Sequence, residues 1–418
     1  MKKFLSIFMV FAICFSLVAC GTTNNTSSGN TTNGNTSTNG ETGGETGGET
    51  TGDPLLIGTF QPLTGTNAEI GENQVNGQQL AINQINANGG LNGQMLEMIT
   101  YDSQGVPEEA VKACQRLVEV DGIDFMMGDL ISSNMLATGE YLNENQILTF
   151  GTGLSSTWME QGWEYVWRAC VNNGTTMPIL AEKLIDMGVN SVGVLHGQDD
   201  ANNTAYEVFA EKYEELGGTI STAETYVEGD SDFSGQIAKI LNTNPDAVLL
   251  CSHSSIQGSF MRQLRSQGFL GLAMCKEPFT SADIELSGAS SDNVAFIYPY
   301  VTYSTPDDCE DEQIKQFLID YEAEFGKMPT HDCAYRGYDA MMALAEACTI
   351  AGTNETEAVM EALGTISDMD GLIGTLDFTQ GDREGVHNAT AGFVVLDGKY
   401  VDIDSWLADG GYDALKNS

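Results

Sequence analysis

Positive charge is what this chain has least of. Over 418 residues, 17 Lys and Arg face 59 Asp and Glu, for a formal net charge of −42. Neutralising nucleic-acid phosphates takes a basic face, and so few cations over this length exclude a nucleic-acid partner. The usual enzyme signatures are missing as well. There is no GxSxG nucleophile elbow, no GxxxxGK[ST] phosphate loop, no HExxH and no Cys-x-x-Cys pair. His196, His253, His331 and His387 lie far apart, and the cysteines show no metal-ligand spacing. An enzyme, a bound metal and a cofactor are therefore not expected. What is present is a normal 41% of hydrophobic residues, enough for a folded chain. At roughly 100 to 200 residues per domain, the length suggests two domains.

No apolar run is long enough for a comfortable bilayer span. The longest, 4–18, is interrupted by Ser6 and Ser16 and follows Met1-Lys2-Lys3, which reads as the hydrophobic region of an export signal. It ends in Leu17-Val18-Ala19-Cys20-Gly21. This resembles the lipobox of bacterial lipoproteins, where small residues fit the signal peptidase and the cysteine thiol accepts diacylglycerol; the alternative is a plain signal peptide with a chance cysteine. Residues 1–19 are expected to be removed, leaving Cys20 lipidated on the outer face of the cell membrane. One acyl chain holds a protein only marginally, so several are needed for stable anchoring. Residues 21–52 contain no apolar side chain. Such a segment cannot offset the entropy of ordering, so 20–52 is expected to be a lipid-anchored, disordered tether with a reach of roughly 30 Å. Of nine cysteines, seven remain after loss of Cys14 and lipidation of Cys20. That odd number leaves at least one thiol free; a Cys251–Cys275 bridge is conceivable, with buried thiols the plainer reading.

From residue 53 the chain alternates strand and helix. Short apolar runs at 55–60, 94–101, 123–127 and 146–150 are separated by helical patterns at 75–85, 107–120 and 132–143. The cycle restarts with a helix at 177–187 and continues through strands 191–195, 219–226, 247–251 and 270–275. Two successive α/β runs imply two lobes with mainly parallel sheets. Ligands bind such sheets beyond the carboxyl ends of the strands, so function belongs in the loops after residues 60, 127, 150, 195, 251 and 275.

Those loops carry a resemblance. Gly58-Thr59-Phe60-Gln61-Pro62-Leu63-Thr64-Gly65 and the run from Asn76-Gly77-Gln78 through Asn88-Gly89-Gly90-Leu91-Asn92-Gly93 resemble the opening of the branched-chain amino-acid-binding proteins of ABC importers. The likeness continues through Tyr101-Asp102-Ser103 with Pro107, Gly128 with Ser132-Ser133, Arg168, Gly188-Val189, Asp232-Phe233 and Pro245-Asp246-Ala247-Val248, spanning about 55–396. It implies the type I periplasmic binding protein architecture: two three-layer α/β/α lobes joined by a three-strand hinge and closing on a ligand. Lobe 1 would comprise 53–169 and 302–386, lobe 2 170–301 and 387–418.

Read from the residues alone, Ser132 or Ser133 can cap a helix whose first-turn N–H groups suit a carboxylate. The loop holding Gly153, Leu154 and Ser155 forms a second polar wall, where glycine permits close approach. The resemblance adds roles. Ser132 would contact a ligand carboxylate, the Gly153 carbonyl a ligand ammonium, Ser155 both ends of an α-amino acid, and Glu277 the ammonium from the second lobe. Where family members often place aromatic rings on the ligand, this chain has Ile70, Ala201 and His253, so the pocket is reshaped; His253 is either a contact for a polar ligand or an ordinary loop histidine. Among Trp158, Trp163, Tyr165 and Trp167, packing is the expected role, with Trp158 the candidate for the cleft rim. The expected function is a monomeric, extracytoplasmic solute-binding protein that delivers an amino acid or related small carboxylate to an ABC permease. The alternative is a sensor module on the same fold that feeds a signalling receptor.

Overall fold

A computed structural model describes residues 52–253, 256–387 and 391–417. The expected leader, the lipidation site Cys20 and residues 21–51 lie outside them. Strands β1 (Leu55–Gln61), β2 (Leu96–Asp102), β3 (Phe125–Met127), β4 (Thr149–Gly151) and β5 (Val166–Arg168) form a parallel sheet in the order β2-β1-β3-β4-β5. A second sheet of seven strands uses β6 (Ser191–Gly197), β7 (Thr219–Tyr226), β8 (Ala247–Cys251), β9 (Leu272–Cys275) and β10 (Val294–Ile297). After the small hairpin β11 (Met369–Gly371) and β12 (Gly374–Leu376), the chain completes that sheet with β13 (Gly392–Leu396) and β14 (Lys399–Asp402), in the order β14-β13-β10-β9-β8-β6-β7. The five strands from β6 to β10 run parallel, whereas β13 and β14 are antiparallel additions.

Except between β4 and β5, where a 3-10 turn (Met159–Gln161) stands, helices separate the strands, as parallel connections require. These are α1 (Ala68–Ala87), α2 (Pro107–Arg116), α3 (Ser132–Glu144), α4 (Asn173–Asp186), α5 (Asp200–Glu215), α6 (Ser234–Leu241), α7 (Gln257–Ser266) and α8 (Ser281–Ser287). Helices α9 (Glu312–Phe325), α10 (Cys333–Ala351) and α11 (Thr356–Leu363) follow the second sheet in sequence but pack with α1 beside the first, and α12 (Ile403–Ala408) and α13 (Gly411–Lys416) close the chain. Local chemistry sets several ends. Helix α2 begins with Pro107, Glu108 and Glu109 and ends near Arg116, matching the missing proline donor and the helix dipole. Strand β8, Ala-Val-Leu-Leu-Cys, is buried at every position, as a strand covered on both faces must be.

The chain crosses between the sheets three times: after β5, after β10, and between α11 and β13. The crossings are hydrogen-bonded to one another. Arg168 N–H donates to the Arg383 carbonyl (3.0 Å), Gly385 N–H to the Arg168 carbonyl (2.7 Å), and Tyr298 N–H to the Ala391 carbonyl (3.1 Å). Helix α10 lies so close to α1 that a Cβ on Gly77 would collide with the Ala334 carbonyl; only glycine permits that approach. All seven cysteines among the described residues are free and buried, Cys251 and Cys275 included. None of the described helices is long and apolar enough to cross a membrane.

Candidate functional site: the cleft between the two sheets

The loops beyond the carboxyl ends of β3, β4, β6, β8 and β9 meet between the sheets. Ser132 opens α3, but the helix-capping position is Ile131, and no side chain caps it. Neither serine is the cap that the sequence suggested. Instead Asp129 Oδ1 accepts from the Ile131 N–H (2.9 Å), while Ser132 Oγ accepts from the Ser155 N–H (3.1 Å). Burial pushes the Asp129 carboxyl up to about 6. Ser133, next along, is half-buried. Gly153 lies against Ser132, where a Cβ would stand 2.7 Å from Ser132 Oγ, so the loop and the helix start need glycine to meet. The Gly153 carbonyl accepts from Arg168 Nη1 (2.9 Å), and the Leu154 carbonyl accepts from the Asn173 N–H (2.8 Å).

Ser155 Oγ pairs with Thr157 Oγ1 in its own loop (2.8 Å). Across the gap, Ser155 Oγ pairs with Thr204 Oγ1 of α5 (3.2 Å), and Thr157 Oγ1 donates to Asp200 Oδ2 (2.8 Å). Further along the rim, Asn67 Nδ2 donates to Glu228 Oε1 (2.7 Å). These bonds join the first sheet's loops to the second sheet's, so the cleft is shut. Ser132, Ser155 and Glu277 are each 2% exposed or less. Such a latch to an exposed carboxylate contributes about 1 kcal/mol. Asn67→Ala should therefore shift the closure equilibrium about fivefold toward the open form, seen as a larger radius of gyration in small-angle scattering; an unchanged radius would count against the latch.

Glu277 stands just past β9 at the centre of an ionic network. Lys276 Nζ is 2.7 Å from its Oε1, His253 Nδ1 is 3.5 Å from the same oxygen, and His331 Nε2 is 3.9 Å from Oε2. Burial would raise the Glu277 carboxyl, but Lys276, then His253, hold it well below the ordinary range. Burial would likewise lower His253, yet Asp199 at 3.5 Å and Glu277 bring it up to about 9. Asp332 accepts from Arg336 Nε (2.6 Å) and Tyr300 Oη (2.9 Å) and pairs with His331 Nδ1 (2.8 Å). Asn73 of α1 fixes this corner, its Oδ1 accepting from the Thr330 N–H (3.0 Å) and the His331 N–H (3.3 Å).

Of the reshaping positions, Ile70 packs with Leu130, Ile131 and Cys333. It lines a cavity of about 110 Å³ with Thr280 and His331. Ala201 is buried, and its carbonyl accepts from Asn173 Nδ2 (2.7 Å). His253 belongs to the ionic network and is no ordinary loop histidine. Trp158 is not at the rim: it is fully buried in the first sheet's core under the Arg168 guanidinium, 4.9 Å from the ring centre. A separate cavity of about 720 Å³, lined by Val301, Tyr303, Phe393, Lys399 and Tyr400, contains none of the expected site residues. His331, Asp332 and Cys333 place metal-ligand atoms within 4.8 Å of one another, but Asp332 is committed to Arg336, a cation that would repel a metal ion.

Sequence reasoning missed Lys276, His331, Asp332 and Arg336. The Asp332–Arg336 spacing of four is the one local signal, since such pairs share a helix face.

Comparison with known proteins agrees with this arrangement. The family model described as periplasmic binding protein matches residues 54–399. A Brucella melitensis protein named Leu/Ile/Val-binding protein homolog 3 is 24% identical over 332 residues, covering 78% of this chain and 87% of that protein. Two solved structures share the fold. The branched-chain amino acid transporter substrate-binding protein of Streptococcus pneumoniae, in complex with isoleucine, has a TM-score of 0.73 at 21% identity, covering 84% of this chain and 100% of that one. An ABC transporter solute-binding protein from R. palustris, in complex with benzoate, has a TM-score of 0.73 at 18% identity, covering 84% and 95%. With paired parallel sheets, three crossings and a buried polar cleft between them, the chain belongs to the periplasmic binding protein family.

Proposed function

We propose that this protein is the lipid-anchored, extracytoplasmic binding component of an ABC importer. It captures a small carboxylate, an amino acid or related acid, between lobes 53–169 with 302–386 and 170–301 with 387–418, and presents it to the permease. Cys20 would tether it to the membrane face, and it would act as a monomer. The observation that supports this reading is the meeting of buried polar groups from both sheets at the start of α3. The first N–H groups of a helix have no partner within it, and its dipole favours an anion there. Ser132, Ser133 and Ser155 surround that point. The solved structures named above, a transporter substrate-binding protein with isoleucine and an ABC transporter solute-binding protein with benzoate, both hold a carboxylate ligand.

A thermal-shift screen against amino acids and small organic acids tests the reading, because a ligand at 100 times its dissociation constant adds about 2.7 kcal/mol of stability. Ser132→Asp sharpens it. An acid suits the first turn of a helix and can still accept from Ser155, and urea unfolding of the variant checks that the added atoms are tolerated beside Gly153. A ligand carboxylate would meet a like charge, at a cost of several kcal/mol, which weakens binding more than about thirtyfold. Undiminished affinity in that variant would place the ligand elsewhere.

A further inference from the structure

Resting on the cleft as the ligand site, the charges around Glu277 bear on what the ligand carries. The resemblance hands Glu277 a ligand ammonium. In the structure that carboxylate already has Lys276 at 2.7 Å, with His253 and His331 beside it. Asp332 is taken by Arg336 and His331, and Asp199 by His253. The cations Lys276, Arg336 and His253 thus balance Glu277, Asp332 and Asp199. His331 also faces buried Asp283, whose carboxylate accepts from the Gly258 N–H and from Thr280, and Asp129 accepts from the Ile131 N–H and Asn134. Each carboxylate here already has a partner. An ammonium brought here would be a buried cation without a counter-charge, which is strongly unfavourable.

Donors without acceptors also stand here, beside one acceptor, Asp332 Oδ1, that lacks a hydrogen bond when His331 Nδ1 accepts from Cys333. His331 Nδ1 either accepts from the Cys333 N–H (3.1 Å) or, protonated, pairs with Asp332. In both states Nε2 carries a hydrogen. That Nε2 and the Tyr298 hydroxyl are buried with no hydrogen-bond partner among the described residues. Lys276 has three donor hydrogens and one carboxylate within reach. Buried donors without acceptors are rare unless something else supplies the acceptor. Asp199 and Glu277 raise His253 to about 9, and the His331 ring is raised well above its ordinary value. Arg336 Nη1 lies 3.4 Å from the Thr152 carbonyl, one residue from Gly153, which ties this donor-rich pole to the serine wall.

We infer that the ligand presents an acceptor or anionic group, and no ammonium, to the Lys276–His331 pole. The cleft then takes a small organic acid without an amino group, a 2-oxo acid or a dicarboxylate, with one carboxylate at the start of α3. Glu277 is a positioning residue that holds Lys276 and the two histidines.

The test is calorimetric titration of the full chain with matched pairs: leucine and 4-methyl-2-oxopentanoate, glutamate and 2-oxoglutarate, with succinate alongside. At least one amino-free acid should bind ten times more tightly than its amino counterpart, or succinate should bind where neither amino acid does. Lys276→Met frees Glu277 and should reverse the preference, with the amino acid gaining at least tenfold relative to its 2-oxo partner. Leucine or glutamate binding the parent protein as tightly as its partner, or no binding by any of the five, overturns the inference. If an amino acid binds and Ser132→Asp abolishes it, the cleft reading survives while this inference falls. If acid binding ignores both Ser132→Asp and Lys276→Met, the site lies elsewhere and both fall.

Discussion

Arg168→Met should lower the unfolding free energy by about 3 to 5 kcal/mol, the range for breaking a buried ion pair. Arg168 is fully buried. Its Nε donates to Glu384 Oε2 (2.6 Å) and its Nη2 to the other carboxylate oxygen, while Nη1 reaches the carbonyls of Gly153 (2.9 Å) and Ser155 (2.6 Å). One guanidinium therefore ties the first crossing to the third and to the serine loop. Methionine leaves a buried carboxylate and two carbonyls unpaired, and the cost of unmade hydrogen bonds exceeds the gain from made ones. The midpoint of urea unfolding should fall with little change in slope. Adding Glu384→Leu should restore much of the loss, because replacing a buried pair with apolar side chains is often neutral. A single variant as stable as the parent would mean that Arg168 does not join the crossings.

Glu277→Ala has an effect of similar size and a pH signature. Removing the carboxylate strands Lys276, His253 and His331 without their shared counter-charge, for a loss of about 3 to 5 kcal/mol near neutral pH. In the parent protein Asp199 and Glu277 together hold a proton on His253, so the folded chain binds more protons than the unfolded one and stability falls as pH rises. The variant lacks the Glu277 share of this contribution. His253 is raised from 6.5 to about 9, so its contribution is fully present below about 6.5 and is lost as pH rises through about 9. The gap between the two should therefore narrow from pH 6 to pH 10 in chemical denaturation, and a gap that stays constant would refute the network. Lys276→Met with Glu277→Leu should recover most of the loss at every pH.

The strand and helix alternation was legible because buried parallel strands read as continuous apolar runs, such as 247–251, and their helices carry a period near 3.6. Most sequence-assigned elements match observed ones within a few residues. Strand β5 (Val166–Arg168) ends on a charged residue that burial alone makes part of the core, so no apolar run marked it. The antiparallel β13 and β14 were not assigned; β13 pairs with β10, distant in sequence, and β14 with β13. Packing is the role expected of the Trp158 to Trp167 aromatics, and Trp158, the candidate for the rim, packs under Arg168 as well.

For the site, the sequence by itself determined which loops face the cleft: strand ends and helix starts are local, so Ser132, Ser155 and Glu277 could be found at them. It could not determine what those groups bond to. Ser155 meets Thr204 only because the sheets close on each other, and His331 reaches Glu277 only because Gly77 lets α10 press against α1. Lys276, adjacent to Glu277 in the chain, is buried beside it, away from the water that would screen the pair. Local chemistry fixed where the polar groups sit. The sum of charge around Glu277, and with it the kind of ligand the cleft accepts, depends on residues from both sheets and on the low dielectric of their junction, which only the tertiary structure supplies.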